Sequence, residues 1–216
     1  MSKKNILLCA CIILFLPLFS QDLEAKKMRF QGYSGGMMLH TGYLLGGSVD
    51  VPNYTEKTKI QGFTFGIGGA LRFHFGKHLR IGSEGYNSTL RYGKNKSSMS
   101  LGWGGLLIDC QWEIAKFTLF CGGTIGGGSM KNTILTEPVS ANSAGQKALY
   151  QKYSIMVIDP FIGMEYAISS KIHLIIKADC IVNLTQKQSD FPIGTRVYAG
   201  IVFFHATKRS AYSTDK

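Results

Sequence analysis

The segment Gly62–Phe75, G-F-T-F-G-I-G-G-A-L-R-F-H-F, alternates bulky apolar residues with small or charged ones. Its Phe, Ile and Leu residues occupy odd positions, whereas Thr, Ala, Arg and His occupy even positions. Because successive side chains of a β-strand point to opposite faces, this two-residue period predicts a strand with one apolar face. Segments 156–165 and 172–183 follow the same pattern. The alternation therefore indicates an all-β protein.

Eight segments of the chain fit this description. The predicted strands span residues 31–45, 60–75, 79–92, 98–113, 116–127, 153–168, 172–184 and 193–204. In the third and fourth strands the apolar residues change parity near Gly85 and near Gly104–Gly105. We expect a β-bulge at each of these glycines, since an extra residue in one strand shifts the alternation.

The links between the predicted strands alternate in length. Three are short, at 76–78, around 114–115 and at 169–171, and four are longer, at 46–59, 93–97, 128–152 and 185–192. Strict alternation places all the longer links at one end of an up-and-down meander. Bacterial outer-membrane barrels are built in this way, with short periplasmic turns and longer extracellular loops.

Residues 1–25 have the features of a secretory signal peptide. Lys3 and Lys4 precede an apolar run, Ile6–Phe19, which is too short to span a membrane comfortably. We expect cleavage after Ala25 or after Ser20. The rest of the chain has no apolar run of about 18 residues, so a helical membrane protein is excluded.

Length and composition suit one basic domain. The chain has 216 residues, 26 of them Gly, and a formal net charge of +11. We predict a barrel domain at 26–204 and a polar tail at 205–216. Cys110, Cys121 and Cys180 have no metal-ligand spacing, so we expect no metal and no cofactor. Nucleic-acid binding is not expected of an exported chain without clustered basic and aromatic residues.

Alternation alone does not say which face of the sheet is inside, because a soluble lipocalin-like barrel alternates with the opposite polarity. An eight-stranded barrel has an interior just wide enough for side chains. Small residues with a few pairable charges fit that interior better than rows of Phe, Leu and Ile. We therefore predict an apolar face toward lipid and a polar network in the lumen. The predicted network consists of Arg72, His74, Arg80, Glu84, Asp109, Glu113, Asp159, Glu165, His173, Lys177, Asp179 and Arg196.

The chain resembles the small eight-stranded outer-membrane β-barrels of Gram-negative bacteria, including the transmembrane domain of outer membrane protein A. The resemblance covers residues 30–204 and is supported by Gln31–Tyr43, Q-G-Y-S-G-G-M-M-L-H-T-G-Y, which is similar to the first strand of uncharacterised members of this class. It implies outer-membrane location and insertion by the barrel assembly machinery. Such barrels usually end on an aromatic residue, here Phe203 or Phe204, whereas this chain continues to Lys216.

Three functional hypotheses remain open from the sequence. The first is a non-enzymatic barrel with a structural, adhesive or surface-interaction role through its loops. The second is an enzyme that modifies lipid A, which would need a base at the outer leaflet; His40 is the candidate. The third is a soluble lipid-binding barrel. The longer links are rich in lysine and arginine, so Arg91, Lys94 and Lys96 are candidate contacts for lipopolysaccharide phosphates.

Overall fold

The computed structural model describes residues 29–49, 58–93, 97–135, 148–185 and 191–206. All strand pairings in this part of the chain are antiparallel. The strands are β1 (Phe30–Val49), β2 (Thr58–Phe75), β3 (Leu79–Tyr92), β4 (Ser97–Ile114), β5 (Phe117–Leu135), β6 (Ala148–Ala167), β7 (Ile172–Cys180), β8 (Val182–Asn183) and β9 (Thr195–Ala206). The described residues include no helix long and apolar enough to cross a membrane.

The sheet closes on itself. Each strand from β1 to β6 pairs with the next, β6 pairs with β7, β7 pairs with β9, and β9 pairs with β1. The short strand β8 continues the register of β7 along β6 on the other side of Ile181. Together β7 and β8 therefore fill the seventh position of an eight-strand ring. This ring confirms the predicted fold class, an eight-stranded antiparallel up-and-down transmembrane β-barrel.

The short links lie at one end of the barrel, at residues 76–78, 115–116 and 168–171. Several strands extend farther toward the other end than predicted: β1 runs to Val49 and β2 begins at Thr58. The longest extensions are those of β5, which runs to Leu135, and β6, which begins at Ala148. The predicted bounds of the link between these two strands, 128–152, were therefore wrong. In these extensions polar and apolar residues occur on both faces, since polar Asn132 is buried beside Met130 and Ile134 and Tyr150 is exposed beside Lys152, so the sequence lacks a clear alternation. At the short-turn end, strand β9 continues to Ala206, two residues beyond its predicted end.

The two predicted β-bulges are absent from β3 and β4. Strand β3 pairs with both neighbours without a register shift at Gly85, and β4 does so at Gly104 and Gly105. Inward residues of β3 remain buried along its whole length, from Arg80 to Tyr92. The apolar residues change parity because the inward face changes from charged to apolar toward the long-loop end. The described register shifts lie instead in β1.

The outward face carries a belt of large apolar side chains. Members of the belt include Met37, Leu39, Phe63, Phe65, Ile67, Leu71, Phe73, Ile81, Leu106, Ile108, Leu119, Ile125, Met156, Ile162, Leu174, Ile176, Val197, Ile201 and Phe203. Leu106, for example, is 71% exposed. A soluble barrel would bury such residues, so this polarity contradicts the lipocalin-like alternative and fits contact with lipid acyl chains.

Candidate functional site

The short-turn half of the lumen contains an ion cluster centred on Asp109. The Asp109 carboxylate accepts hydrogen bonds from Arg72 Nε at 3.1 Å and from Nε and Nη2 of Arg80. Arg80 Nη1 donates to Glu165 Oε1 at 2.7 Å, and Glu165 Oε2 lies 3.4 Å from His173 Nδ1. The side chains of Arg72, Arg80 and Asp109 are fully buried. The cluster joins β2, β3, β4, β6 and β7 across the lumen.

A second ion cluster lies around Lys177 and Arg196. Lys177 Nζ donates to Glu84 Oε2 at 2.9 Å and lies 3.7 Å from Asp179 Oδ2. Arg196 donates from Nε to Asp179 Oδ1 at 2.9 Å and from Nη2 to Asp159 Oδ1 at 3.2 Å. Buried charges are tolerated when they are paired and hydrogen-bonded, as these are. The two clusters together close the middle of the barrel.

Aromatic rings line the same space, and the sequence analysis did not place them there. The guanidinium carbons of Arg72 and Arg80 lie 5.4 and 4.8 Å from the centroid of Phe120. Lys177 Nζ lies between 4.5 and 4.8 Å from three ring centroids, those of Tyr86, Phe161 and Tyr198. Such distances are typical of cation–π contacts. Strand parity could have predicted the position of these rings in the lumen, since Tyr198, for example, has the same parity as the inward Arg196.

The structure brings most of the predicted lumen residues together. Ten of the twelve are buried; the exceptions are His173, which is partly buried, and Glu113, which is exposed. His74 contributes through a 2.8 Å contact between its Nε2 and Ser34 Oγ. Glu113 has inward parity but lies beside the Ala115–Lys116 turn, where the open mouth leaves it exposed. Arg72 is diagonal to Glu84 in the β2–β3 register, yet it pairs across the lumen with Asp109.

The long-loop half of the lumen is mainly apolar, with a few buried polar side chains such as Thr64, Ser97 and Asn132. Inward side chains of this half pack into one buried cluster, which includes Leu44, Ile60, Leu90, Met99, Leu101, Trp103, Met130, Ile134, Ile155, Val157, Ile181 and Phe191. Burial of this apolar surface stabilises the part of the barrel that extends past the lipid-facing belt. The lumen is therefore closed by ion clusters at one level and by apolar packing at the next.

His40, the candidate base of the enzymatic hypothesis, lies inside the barrel. It is 3% exposed, and its ring centroid is 4.7 Å from that of Tyr198. Its Nε2 lies 3.3 Å from the carbonyl oxygen of Asn87. A base that acts on a lipid must reach the outer surface of the barrel, and His40 faces away from that surface.

One of the three candidate lipopolysaccharide contacts, Arg91, is described, and it lies at the long-loop end. Arg91 is exposed on the outward face of β3, while Lys94 and Lys96 lie outside the described residues. The predicted signal peptide, 1–25, lies outside them as well, as does the tail from residue 207. Within the described ranges, no group of three or more His, Cys, Asp or Glu residues could hold a metal ion.

Comparison with known proteins identifies the fold. No family model and no curated protein matches the sequence. Ail, the attachment invasion locus protein of Yersinia pestis, whose structure was solved with the heparin analogue sucrose octasulfate, aligns with a TM-score of 0.50. The alignment covers 81% of this chain and 99% of Ail at 10% identity.

Two further outer-membrane proteins align less closely. Neisserial surface protein A aligns at a TM-score of 0.49 and 11% identity, over 79% of this chain and 95% of that one. Outer membrane protein OprG from Pseudomonas aeruginosa aligns at 0.48 and 10% identity, over 83% and 99%. At such identities the likeness to Ail concerns the fold alone. The chain thus has the fold of the small eight-stranded outer-membrane β-barrels, as the sequence resemblance implied.

Proposed function

We propose that this chain is an integral protein of the bacterial outer membrane with a structural, adhesive or surface-interaction role. In this proposal, residues 1–25 are a signal peptide cleaved after Ala25 or after Ser20. The barrel domain predicted at 26–204 extends through β9 to Ala206, and the polar tail predicted at 205–216 begins after Ala206. The barrel assembly machinery inserts the chain, and Phe203 or Phe204 supplies the aromatic signal near its end. The belt of outward apolar side chains supports the membrane location.

The closed lumen is the observation that supports a role other than transport, and the inward burial of His40 supports a non-enzymatic role. Four buried cations and five buried carboxylates fill its centre, and the apolar cluster fills the half above them. A lumen packed with side chains offers no wide aqueous path. Function then belongs to the long-loop end, which meets the cell's surroundings if the barrel has the usual orientation.

Lipopolysaccharide is the first partner that we propose for this end, with Arg91, Lys94 and Lys96 as contacts. The excess of basic residues supports an electrostatic interaction with phosphate groups. Ail was solved with a polyanionic sugar analogue bound, so a protein with this fold can bind sulfated saccharides. For this chain we propose the phosphate groups of the outer leaflet.

Gel mobility of the isolated outer-membrane fraction tests the proposed location. We expect a fast band in the unboiled sample that shifts on boiling, because a closed barrel resists detergent until it is heated. Recovery in the soluble periplasmic fraction without a shift would refute membrane insertion. Reconstitution into planar lipid bilayers tests the closed lumen: we expect no stable conductance, and a regular open channel would contradict the proposal.

A further inference from the structure

A polar surface lies beyond the apolar belt on the outward face of β3 to β6. We call this surface the outer polar patch; it consists of Asn87, Thr89, Arg91, Ser98, Ser100, Ser129, Lys131, Thr133, Lys152 and Ser154. Arg91, Lys131 and Lys152 are exposed cations, and the remaining members are hydroxyl or amide side chains. The patch therefore contains hydrogen-bond donors and positive charge but no carboxylate.

Two of the cations face each other. Lys131 of β5 is the direct antiparallel partner of Lys152 of β6, and both side chains are exposed. Ser100 of β4 pairs with Lys131 on its other side. Like charges directly opposite each other destabilise a sheet unless a counter-charge lies between them. The Lys131–Lys152 pair thus presents two ammonium groups to a single anion.

No described carboxylate neutralises this pair. Five of the six described acids, Glu84, Asp109, Asp159, Glu165 and Asp179, are buried in the lumen. The sixth, Glu113, lies at the short-turn end. Among the described residues, the outward face beyond the belt therefore carries positive charge alone.

The height of the patch matches that of lipid headgroups. On β6 the continuous run of outward apolar residues ends at Met156, and Ser154 and Lys152 follow it on the same face. The exposed ring of Tyr150 lies one row of side chains beyond Lys152. Four residues of a strand tilted by about 40° rise about 10 Å, at about 3.3 Å per residue. The headgroup region extends several ångströms beyond the hydrocarbon core, so Lys152 lies at or just above the level of lipid phosphates.

We propose that Lys131 and Lys152, together with Arg91 on β3, two strands from Lys131, bind the phosphate groups of outer-leaflet lipopolysaccharide. This site rests on the proposed outer-membrane location and adds Lys131 and Lys152 to the contacts expected from the sequence. The bound phosphate is the counter-charge that no described residue supplies to the Lys131–Lys152 pair, and the hydroxyls of Ser100 and Ser154 donate hydrogen bonds at its edge. The interaction weakens with salt, as an exposed electrostatic contact does.

The test compares two variants of the full chain purified in uncharged detergent. The first is Lys131→Gln/Lys152→Gln, and the matched control is Lys77→Gln/Lys116→Gln, which removes two exposed lysines from the short turns at the opposite end. Binding is measured with purified lipopolysaccharide, with the same lipopolysaccharide after removal of its phosphates, and with a soluble sulfated disaccharide.

We expect the wild-type chain and the control variant to bind phosphorylated lipopolysaccharide equally. The Lys131→Gln/Lys152→Gln variant should bind about 30-fold more weakly, because each cation near an anionic lipid surface contributes about a fivefold change. Equal binding by the two variants would overturn the site, as would equally tight binding of dephosphorylated lipopolysaccharide to the wild-type chain. Full displacement of lipopolysaccharide by the sulfated disaccharide would show a general polyanion site and would overturn the assignment to lipid.

Thermal unfolding of the same samples gives a second readout, in which Lys152→Gln should change the unfolding temperature in opposite directions with and without lipopolysaccharide. In uncharged detergent, Lys152→Gln should raise the unfolding temperature, since it removes the repulsion from Lys131. With lipopolysaccharide present, the substitution should lower it, since a bound ligand stabilises the folded state. A change of the same sign in both media would contradict the proposal.

The gel shift on boiling, measured on these preparations, separates the phosphate site from the proposed membrane barrel. Absence of the shift refutes the membrane barrel. A shift together with unchanged lipopolysaccharide binding by the Lys131→Gln/Lys152→Gln variant refutes only the phosphate site.

Discussion

Replacement of Asp109 should destabilise the barrel more than any exposed charge change on the same strand. The Asp109 carboxylate accepts hydrogen bonds from two buried arginines, and Arg72 makes its only described ion pair with it. Asp109→Ala therefore leaves the Arg72 guanidinium, which is fully buried, without a described counter-charge. Removing one partner of a buried ion pair typically costs about 3–5 kcal/mol. Folding free energies of whole domains are about 5–15 kcal/mol, so this loss is a large fraction of the total.

The assay is equilibrium unfolding in urea with the barrel inserted in lipid vesicles. The control is Glu113→Ala, which removes the same charge from an exposed position of β4 and should change the free energy of unfolding by less than about 0.5 kcal/mol. If Asp109→Ala does not insert at all, Asp109→Asn keeps an acceptor oxygen and allows a measurement; we expect an intermediate loss. A difference of less than about 1 kcal/mol between Asp109→Ala and Glu113→Ala would refute the reasoning.

Three further predictions use the same unfolding assay. Ala115, in the β4–β5 turn, has a φ of 56°, a left-handed conformation that costs a residue with a Cβ about 1–2 kcal/mol. Ala115→Gly should therefore stabilise the barrel by about 0.5–1 kcal/mol. A loss of stability would contradict this expectation. Ile108→Arg places a charge in the apolar belt and should lower the free energy of unfolding by about 2–4 kcal/mol. Thr89→Arg, in the outer polar patch, should leave it almost unchanged. Equal losses would mean that the belt does not contact acyl chains. Gly163→Ala should lower the free energy of unfolding by about 1–3 kcal/mol, because the added Cβ would overlap the Phe120 ring and the carbonyl oxygen of Ile176. Gly102 has open space beside it, so Gly102→Ala should be neutral. Similar effects of the two changes would argue against this packing.

Much of the architecture could be predicted from the sequence because its signals are local. The alternation in Gly62–Phe75 specifies a strand whichever neighbour it pairs with. The short link at 76–78 specifies an antiparallel partner, since a turn of that length connects only adjacent strands. The opposition of His74 and Arg80 follows from that turn, and the structure has this pairing.

The errors arose where one local pattern has two explanations. Tyr86 and Leu90 have the opposite parity to Leu79 and Ile81, which a bulge would also produce. In the structure β3 is regular, and its inward face becomes apolar where its outward face becomes polar. Whether a change of parity means a bulge or a regular strand depends on the height at which the strand leaves the lipid, which is a property of the whole barrel in its membrane.

The sequence by itself determined the all-β class, the up-and-down order of the strands and the face that meets lipid, because strand period, link length and side-chain size are properties of short segments. Only the tertiary structure decided the partners within the lumen. Arg72 and Asp109 lie on strands that are not adjacent, and Lys131 faces Lys152 through the register of a hairpin whose link lies outside the described residues. Such contacts depend on the closure and stagger of the complete ring, which bring together side chains from distant segments of the chain.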